Sequence, residues 1–208
     1  MIYIKKFFKH FKTVCRHKLE VCKICFKFGL YWQGLVHDNS KFNPKEFLTS
    51  VKYYRGTGSP IDTEKEEKGY SLAWAHHHNK NPHHWLYWVD FNKVNDITPM
   101  KIPYKYALEA ICDWIGAGKT YYKNAKKEFT WDEPYEYYKA NTRVGSDINI
   151  HPVTRAFWDV ILVDIKIYGL KKVVEFEKEG KYRDLYENYN SEKYQKVIEK
   201  YYIDKFYK

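Results

Sequence analysis

Four residues of this chain have the types and the order needed to gather a divalent cation. His37 and Asp38 are adjacent in GLVHDNSKF, Gly34 to Phe42, where they leave a short apolar segment and are followed by Ser40 and Lys41. They set one nitrogen and one oxygen donor side by side, and a divalent metal takes about four to six such donors. His17 stands between Val14 and Val21 on an apolar stripe, and Asp113 lies in ALEAICDWIGAG with Tyr106, Ala110 and Ala117 as helical neighbours. A carboxylate on such a face costs several kcal/mol if it is ionised and unpaired, so it requires a cation or strong donors beside it. A bound metal supplies that cation. Alone, His17 reads as a satisfied core histidine and Asp113 as a helix-packing or surface residue; the order His, His-Asp, Asp is what gives them weight.

Five of the nine histidines fall between His76 and His84, in AWAHHHNKNPHHW. On a helix His77 and Asn81 are one turn apart, and a break at Pro82 turns His83 and His84 onto a new helix start, so several imidazoles can aim at one point. Donors at a helix start also suit an anion, because free N–H groups and the helix dipole point there. Lys41 can neutralise a phosphoryl oxygen, and Glu46 can orient water; exposed salt bridging is the plain alternative for both. Cys22-x-x-Cys25 lies mid-helix without a partner pair and reads as buried cysteine. Walker, G-x-S-x-G and glycine-rich phosphate motifs are absent, and RGTGSP follows no predicted strand, which excludes kinase and P-loop chemistry.

Together these residues resemble the HD superfamily of metal-dependent phosphohydrolases, whose defining motif is that order of four ligands on different helices of an α-bundle. The likeness runs from about His17 to Gly118. It is nearest to a family from phages and bacteria with HDxSKF (His37 to Phe42), N-x-HHW (Asn81 to Trp85) and CDW (Cys112 to Trp114). The resemblance implies metal ligands at His17, His37, Asp38 and Asp113, joined by His77 and His83. It implies catalytic roles for Asp38, Lys41 and His84, and substrate contacts from Lys41, Asn81, His83 and His84. One or two divalent ions (Mn, Fe, Co, Ni, Zn or Mg) and a small phosphorylated substrate, a nucleotide or cyclic nucleotide, follow from it. Two rivals stand beside this reading: an HD-type di-iron oxygenase, and a basic, aromatic-rich module that binds nucleic acid around a structural metal.

The elements that must position these groups read as helices. No Pro or Gly interrupts Ile4 to Phe28, and His10, Val14, His17, Val21 and Ile24 recur at steps of four and three. Leu30 to Val36 is a short apolar segment ending in the His-Asp pair. Asn43-Pro44 caps a helix to about Tyr54, and Arg55 to Asp62 is a loop. One helix is expected from near Thr63 to the residues before Pro82, and a second short one from Pro82, capped by Asn81. Asn92 to Lys101 reads as a loop, Pro103 to Lys127 as a strong helix, Asp132-Glu133-Pro134 as a helix start and Val153 to Ile167 as a long helix. Glu175 to Lys208 reads as one or two peripheral helices. Nothing alternates convincingly with a period of two.

The expected architecture is therefore all-α: an HD-type helical bundle over residues 1–130, with a C-terminal helical extension over 131–208 packed on the same domain. A chain of 208 residues with 44% hydrophobic and 19% aromatic content can bury a core of that size. The net charge of +10 favours an anionic partner only weakly, because the lysines are scattered. Four cysteines without framework spacing fit reduced thiols in a cytoplasmic protein. No apolar run of about 18 residues offers a membrane span. The basic, aromatic start MIYIKKFFKHFKTV resembles a membrane-surface helix but reads better as the first core helix. On this reading His17, His37, Asp38 and Asp113 converge from separate helices, and His77, His83 and His84 line the same cavity while His76 and His78 point elsewhere.

Overall fold

The computed structural model describes residues 2–94, 96–141, 150–189 and 192. The described residues form nine α-helices: α1 (Ile2–Lys27), α2 (Tyr31–Val36), α3 (Pro44–Tyr53), α4 (Pro60–Lys68), α5 (Leu72–His78), α6 (Tyr104–Asn124), α7 (Glu133–Asn141), α8 (Pro152–Lys178) and α9 (Lys181–Glu187). Two single-turn 3-10 helices (Asn39–Phe42 and Trp85–Trp88) and a small hairpin of β1 (Val89–Asn92) and β2 (Asp96–Pro99) complete them. The fold is all-α. None of these helices is long and apolar enough to cross a membrane.

Local chemistry sets the helix starts. The Asn43 side chain accepts from Lys45 N–H ahead of Pro44, Ser59 caps α4 ahead of Pro60, and Ser71 caps α5 through Trp74 N–H at 2.9 Å. His151 opens α8, its ring accepting from Val153 N–H at 3.2 Å. α6 is buried along most of its length, with Ala107, Ile111 and Ile115 inside one apolar cluster that also holds Val21, Trp158 and Tyr186. Trp158 donates its indole N–H to the Ala107 carbonyl at 2.8 Å and packs edge-on against Trp114. α1 lies against α6 at Gly116, where an added Cβ would stand 2.4 Å from Val21 Cγ2 and 3.0 Å from the Val21 backbone nitrogen.

Four expectations need correction. The helix expected from Thr63 to Lys80 is two helices, because Gly69 takes φ +79° and Ser71 starts a new one; the first begins at Pro60, inside the stretch expected to be a loop. Pro82 does not start an α-helix: residues 82–84 form a turn, and the 3-10 helix begins at Trp85. Residues 89–99 pair as an antiparallel hairpin, with Asp90 opposite Thr98 and Phe91 opposite Ile97. Four-residue strands give too few alternations to register as a period. The start of the tail is not peripheral either, since Tyr182 and Tyr186 of α9 are fully buried. Their hydroxyls find partners inside, Tyr182 on Asp164 at 2.8 Å and Tyr186 with Thr154 at 2.9 Å, which is what lets tyrosine enter a core. Positions 193–208 lie outside the described residues.

Two predictions follow from the packing of α1. Gly116→Ala forces the helices apart and should destabilise the protein by about 1–3 kcal/mol, read from the urea midpoint. His10 is buried between Phe47 and Tyr54, and burial, reinforced by Lys41 and only partly opposed by Glu46, lowers its pKa from 6.5 to about 4. The unfolded chain therefore takes up this proton first. Stability is full above pH 6.5, falls as the pH drops through the window down to about 4, and levels off below it. His10→Leu should flatten that part of the profile, by up to ~3 kcal/mol across the window.

Candidate metal centre

Five separate elements deliver the polar side chains that meet between α1 and α6. α1 carries His17; α6 carries Asp113 and, one turn earlier, Glu109; α5 carries His77 in its last turn; and the turn after α5 carries His83 and His84. His37 closes α2, and Asp38 follows in the left-handed region with φ 53° and ψ 26°. Asp tolerates that conformation better than most residues, and there it starts the 3-10 turn, Lys41 N–H donating to its carbonyl at 2.9 Å. The turn keeps two adjacent side chains on one cluster.

The two Asp38 oxygens face different partners. Oδ2 lies 3.0 Å from His17 Nε2, 3.4 Å from His37 Nε2 and 2.6 Å from Lys41 Nζ, while Asp113 Oδ1 is 3.1 Å from His17 Nε2 and 3.3 Å from His37 Nε2. Oδ1 lies 3.3 Å from His77 Nε2 and 3.5 Å from His83 Nε2. Two buried donor sets of four result, His17, His37, Asp38 and Asp113, and Asp38, His77, His83 and His84, each offering ligand atoms within 4.8 Å of one another, and His37, His83 and Glu109 form a third group by the same measure. Asp38 belongs to both sets of four.

A second layer aims the rings. His37 Nδ1 donates to Glu109 Oε1 at 2.8 Å, and His83 Nδ1 lies 3.4 Å from the same oxygen. His77 Nδ1 donates to Glu46 Oε1 at 2.7 Å. A carboxylate on Nδ1 fixes the tautomer and leaves the Nε2 lone pair facing the cluster, which is how metal-binding histidines are held.

The electrostatics have the same origin. Burial opposes the charged form of His37, but the carboxylates of Asp38, Asp113 and Glu109 outweigh it and hold its pKa well above the usual histidine range. Burial would raise Asp38 and Asp113; the facing histidines, with Lys41 for Asp38, instead hold both well below the carboxylate range. His84, desolvated and beside His83 and His77, is pushed well below its usual value. A proton on His37 thus stands where a cation belongs. His37 Nε2, Asp38 Oδ1, His83 Nε2 and His84 Nε2 are all buried without a hydrogen-bond partner. Buried polar atoms are rarely left so, and four in one place suit a common partner such as a metal ion. Imidazole nitrogens and carboxylate oxygens in two sets of four are a donor set for a divalent transition metal, and the clusters can hold one.

A cavity of about 280 Å³ opens beside the cluster, lined by His17, His77, His84 and Asp113 at one part and by Lys41, Trp74, Tyr121 and Tyr137 among others. The profile of a family of unknown function (DUF5662) matches residues 6–163, about three quarters of the chain. The chain belongs to that family. No curated protein and no solved structure matches it. The matched span includes every residue of both donor sets in this DUF5662 chain.

His17, His37, Asp38, Asp113, His77, His83 and His84 are all brought together. His76 and His78 belong to neither donor set: His76 binds Glu46 at 3.0 Å, and His78 packs on Trp74. Three expected roles change. Glu46, expected to orient water, holds His76 and His77 through its two oxygens. Asn81, expected on the substrate, donates to Ser40 Oγ and the His77 carbonyl, both at 2.8 Å, and so braces the ligand turn away from the cavity lining. His83, expected both as a ligand and on the substrate, lies with Nε2 3.5 Å from Asp38 Oδ1 and is not among the residues lining the cavity. Glu109 was missed. Its signal was a carboxylate one turn before Asp113 in the same apolar stretch, ALEAICD.

Because Glu109 serves two rings at once, Glu109→Gln, which keeps the shape and removes the charge, should weaken metal binding about 10–100-fold while the circular dichroism spectrum is unchanged. Competition titration with a chromogenic chelator measures it. Affinity equal to wild type would assign the orientation of His37 and His83 to packing alone.

Proposed function

We propose that this protein is a metal-dependent phosphohydrolase acting on a small phosphorylated substrate, a nucleotide in preference to a polymer. The observation that carries the reading is the cluster of four partnerless buried ligand atoms on His37, Asp38, His83 and His84, next to a lysine and a cavity. The resemblance of His17, His37-Asp38 and Asp113 to the HD motif supports the same reading. His17, His37, Asp38 and Asp113 would hold one divalent ion (Mn, Fe, Co, Ni, Zn or Mg), and Asp38 with His77, His83 and His84 a second. When bound, such ions polarise phosphoryl oxygens and lower the pKa of water.

The chain's own groups supply the rest. Lys41 carries a firmly held positive charge, since burial is outweighed by Asp38 and Asp113, and it lines the cavity where it can neutralise a phosphoryl oxygen. His84 stands at the cavity wall, where its ring can contact the transferring phosphoryl group. Trp74, Tyr121 and Tyr137 give the cavity flat aromatic surface that suits a nucleobase, and its volume suits one small ligand. The imidazole-rich second set also favours a second reading, oxygen activation at two irons. Oxygen uptake by iron-loaded protein without phosphate release would select it.

A pair of variants tests catalysis at this centre. Asp38→Ala removes a group shared by both donor sets and should lose metal and phosphate release together. His84→Ala should keep most of the metal of the first set yet lower turnover by 10²-fold or more, because contacts to the transferring group count most in the transition state. Elemental analysis and a nucleotide screen with Mn, Co, Ni, Fe and Mg give both readouts. If both variants stay metal-loaded with unchanged release, hydrolysis does not run through this centre.

A further inference from the structure

α1 has three faces, and the metal centre and core account for only one. His10, Val14, His17, Val21 and Ile24 point inward. A second apolar stripe, Ile4, Phe8, Phe11, Cys15, Leu19 and Phe26, recurs at steps of three, four and seven and runs about 33 Å along the outside of the 26-residue helix. It is open to solvent, with Ile4 63% exposed, Phe8 65% and Leu19 54%. α2 continues it: Tyr31 packs edge-on against Phe26 with ring centroids 5.3 Å apart, and Trp32 is 70% exposed beside it. Along one edge of the stripe, about 80° further round the helix, stand Lys5, Lys9, Lys12, Lys23 and Lys27, all exposed. No acidic residue occurs before Glu20, and Glu20 is paired with Lys23 at 2.9 Å.

We propose that this face of α1 and α2 docks on an anionic lipid bilayer, with the helix lying in the plane of the interface. The proposal is independent of the chemistry at the metal centre. Each part of the face has a counterpart there: the stripe enters the acyl boundary, the lysine edge meets the headgroup charge, and Tyr31 and Trp32 take the interfacial depth that such rings prefer. A second copy of the chain is a poorer occupant, because pairing stripe to stripe brings two lysine edges into one seam with no free acid on α1 to answer them. A nucleic acid answers the lysines but leaves the phenylalanines in water. Spanning is excluded, since the inner face of α1 is committed to the core.

Full-length protein should cosediment with phosphatidylcholine vesicles containing phosphatidylglycerol and far less with phosphatidylcholine alone. Trp32 emission should shift to the blue, a shift absent in Trp32→Phe. Lys9→Gln with Lys12→Gln should weaken binding about thirtyfold, and Phe8→Ser with Leu19→Ser at least tenfold. All four positions are exposed, so circular dichroism and metal content should be unchanged. Failure to bind either vesicle, or binding indifferent to either double variant, overturns the proposal. So does a concentration-dependent dimer abolished by Phe8→Ser with Leu19→Ser, which assigns the stripe to a second copy. Oligonucleotide binding that needs the lysines and ignores the phenylalanines, without vesicle binding, also overturns it.

Discussion

Four carboxylates, Asp38, Glu46, Glu109 and Asp113, are buried within one small volume of this protein. An ionised carboxylate away from water is expensive unless charge or strong donors surround it, and four together multiply the demand. The arrangement of the fold follows from meeting it. His17 comes from α1, His37 from α2, His77 from α5, and the turn at Pro82 folds back so that His83 reaches Glu109 and Asp38. Lys41 closes the set against Asp38 at 2.6 Å. These elements are far apart in sequence, and what makes them meet is as much the neutralisation of buried charge as the burial of apolar surface.

The two layers divide the work. The inner carboxylates, Asp38 and Asp113, face the ring nitrogens of the cluster, while the outer ones, Glu46 and Glu109, hold the opposite nitrogens of His37, His77 and His83. Holding both sides of a ring leaves it one orientation. The apolar cluster of α6, α8 and α9 behind them, with Trp158 anchored to the Ala107 carbonyl, gives α6 a rigid seat from which Glu109 and Asp113 project.

Residues that break a pattern were readable from sequence, and residues that obey one were not. His17 and Asp113 stood out because they interrupt apolar stripes, and His77, His83 and His84 because histidine is so dense there. Glu109 escaped because Asp113 already explained a charge on that face. Asn81 was rightly placed one turn from His77, but its bond to Ser40, and the bonds of Glu46 to His76 and His77, come from elements that cross in space and not from local spacing. Helix existence followed from periodicity, whereas the break at Gly69 and the hairpin at 89–99 turned on single residues and very short runs. The outer stripe of α1 was legible only in part: its basic, aromatic start resembles a membrane-surface helix, but the stripe and the core stripe share the same three-and-four step, and sequence alone reads them as one amphipathic helix.

Rings held by Glu46 and Glu109 already point Nε2 at the cluster before any ion arrives. Such a preformed pocket of imidazoles and carboxylates ranks divalent ions by the intrinsic series that rises from manganese to copper, with zinc close behind. A rigid donor set can depart from that series only through the geometry it imposes on the ion. Which ion such a pocket would take therefore turns on the geometry it imposes and on supply together, and metal content compared across differently supplemented cultures would separate the two.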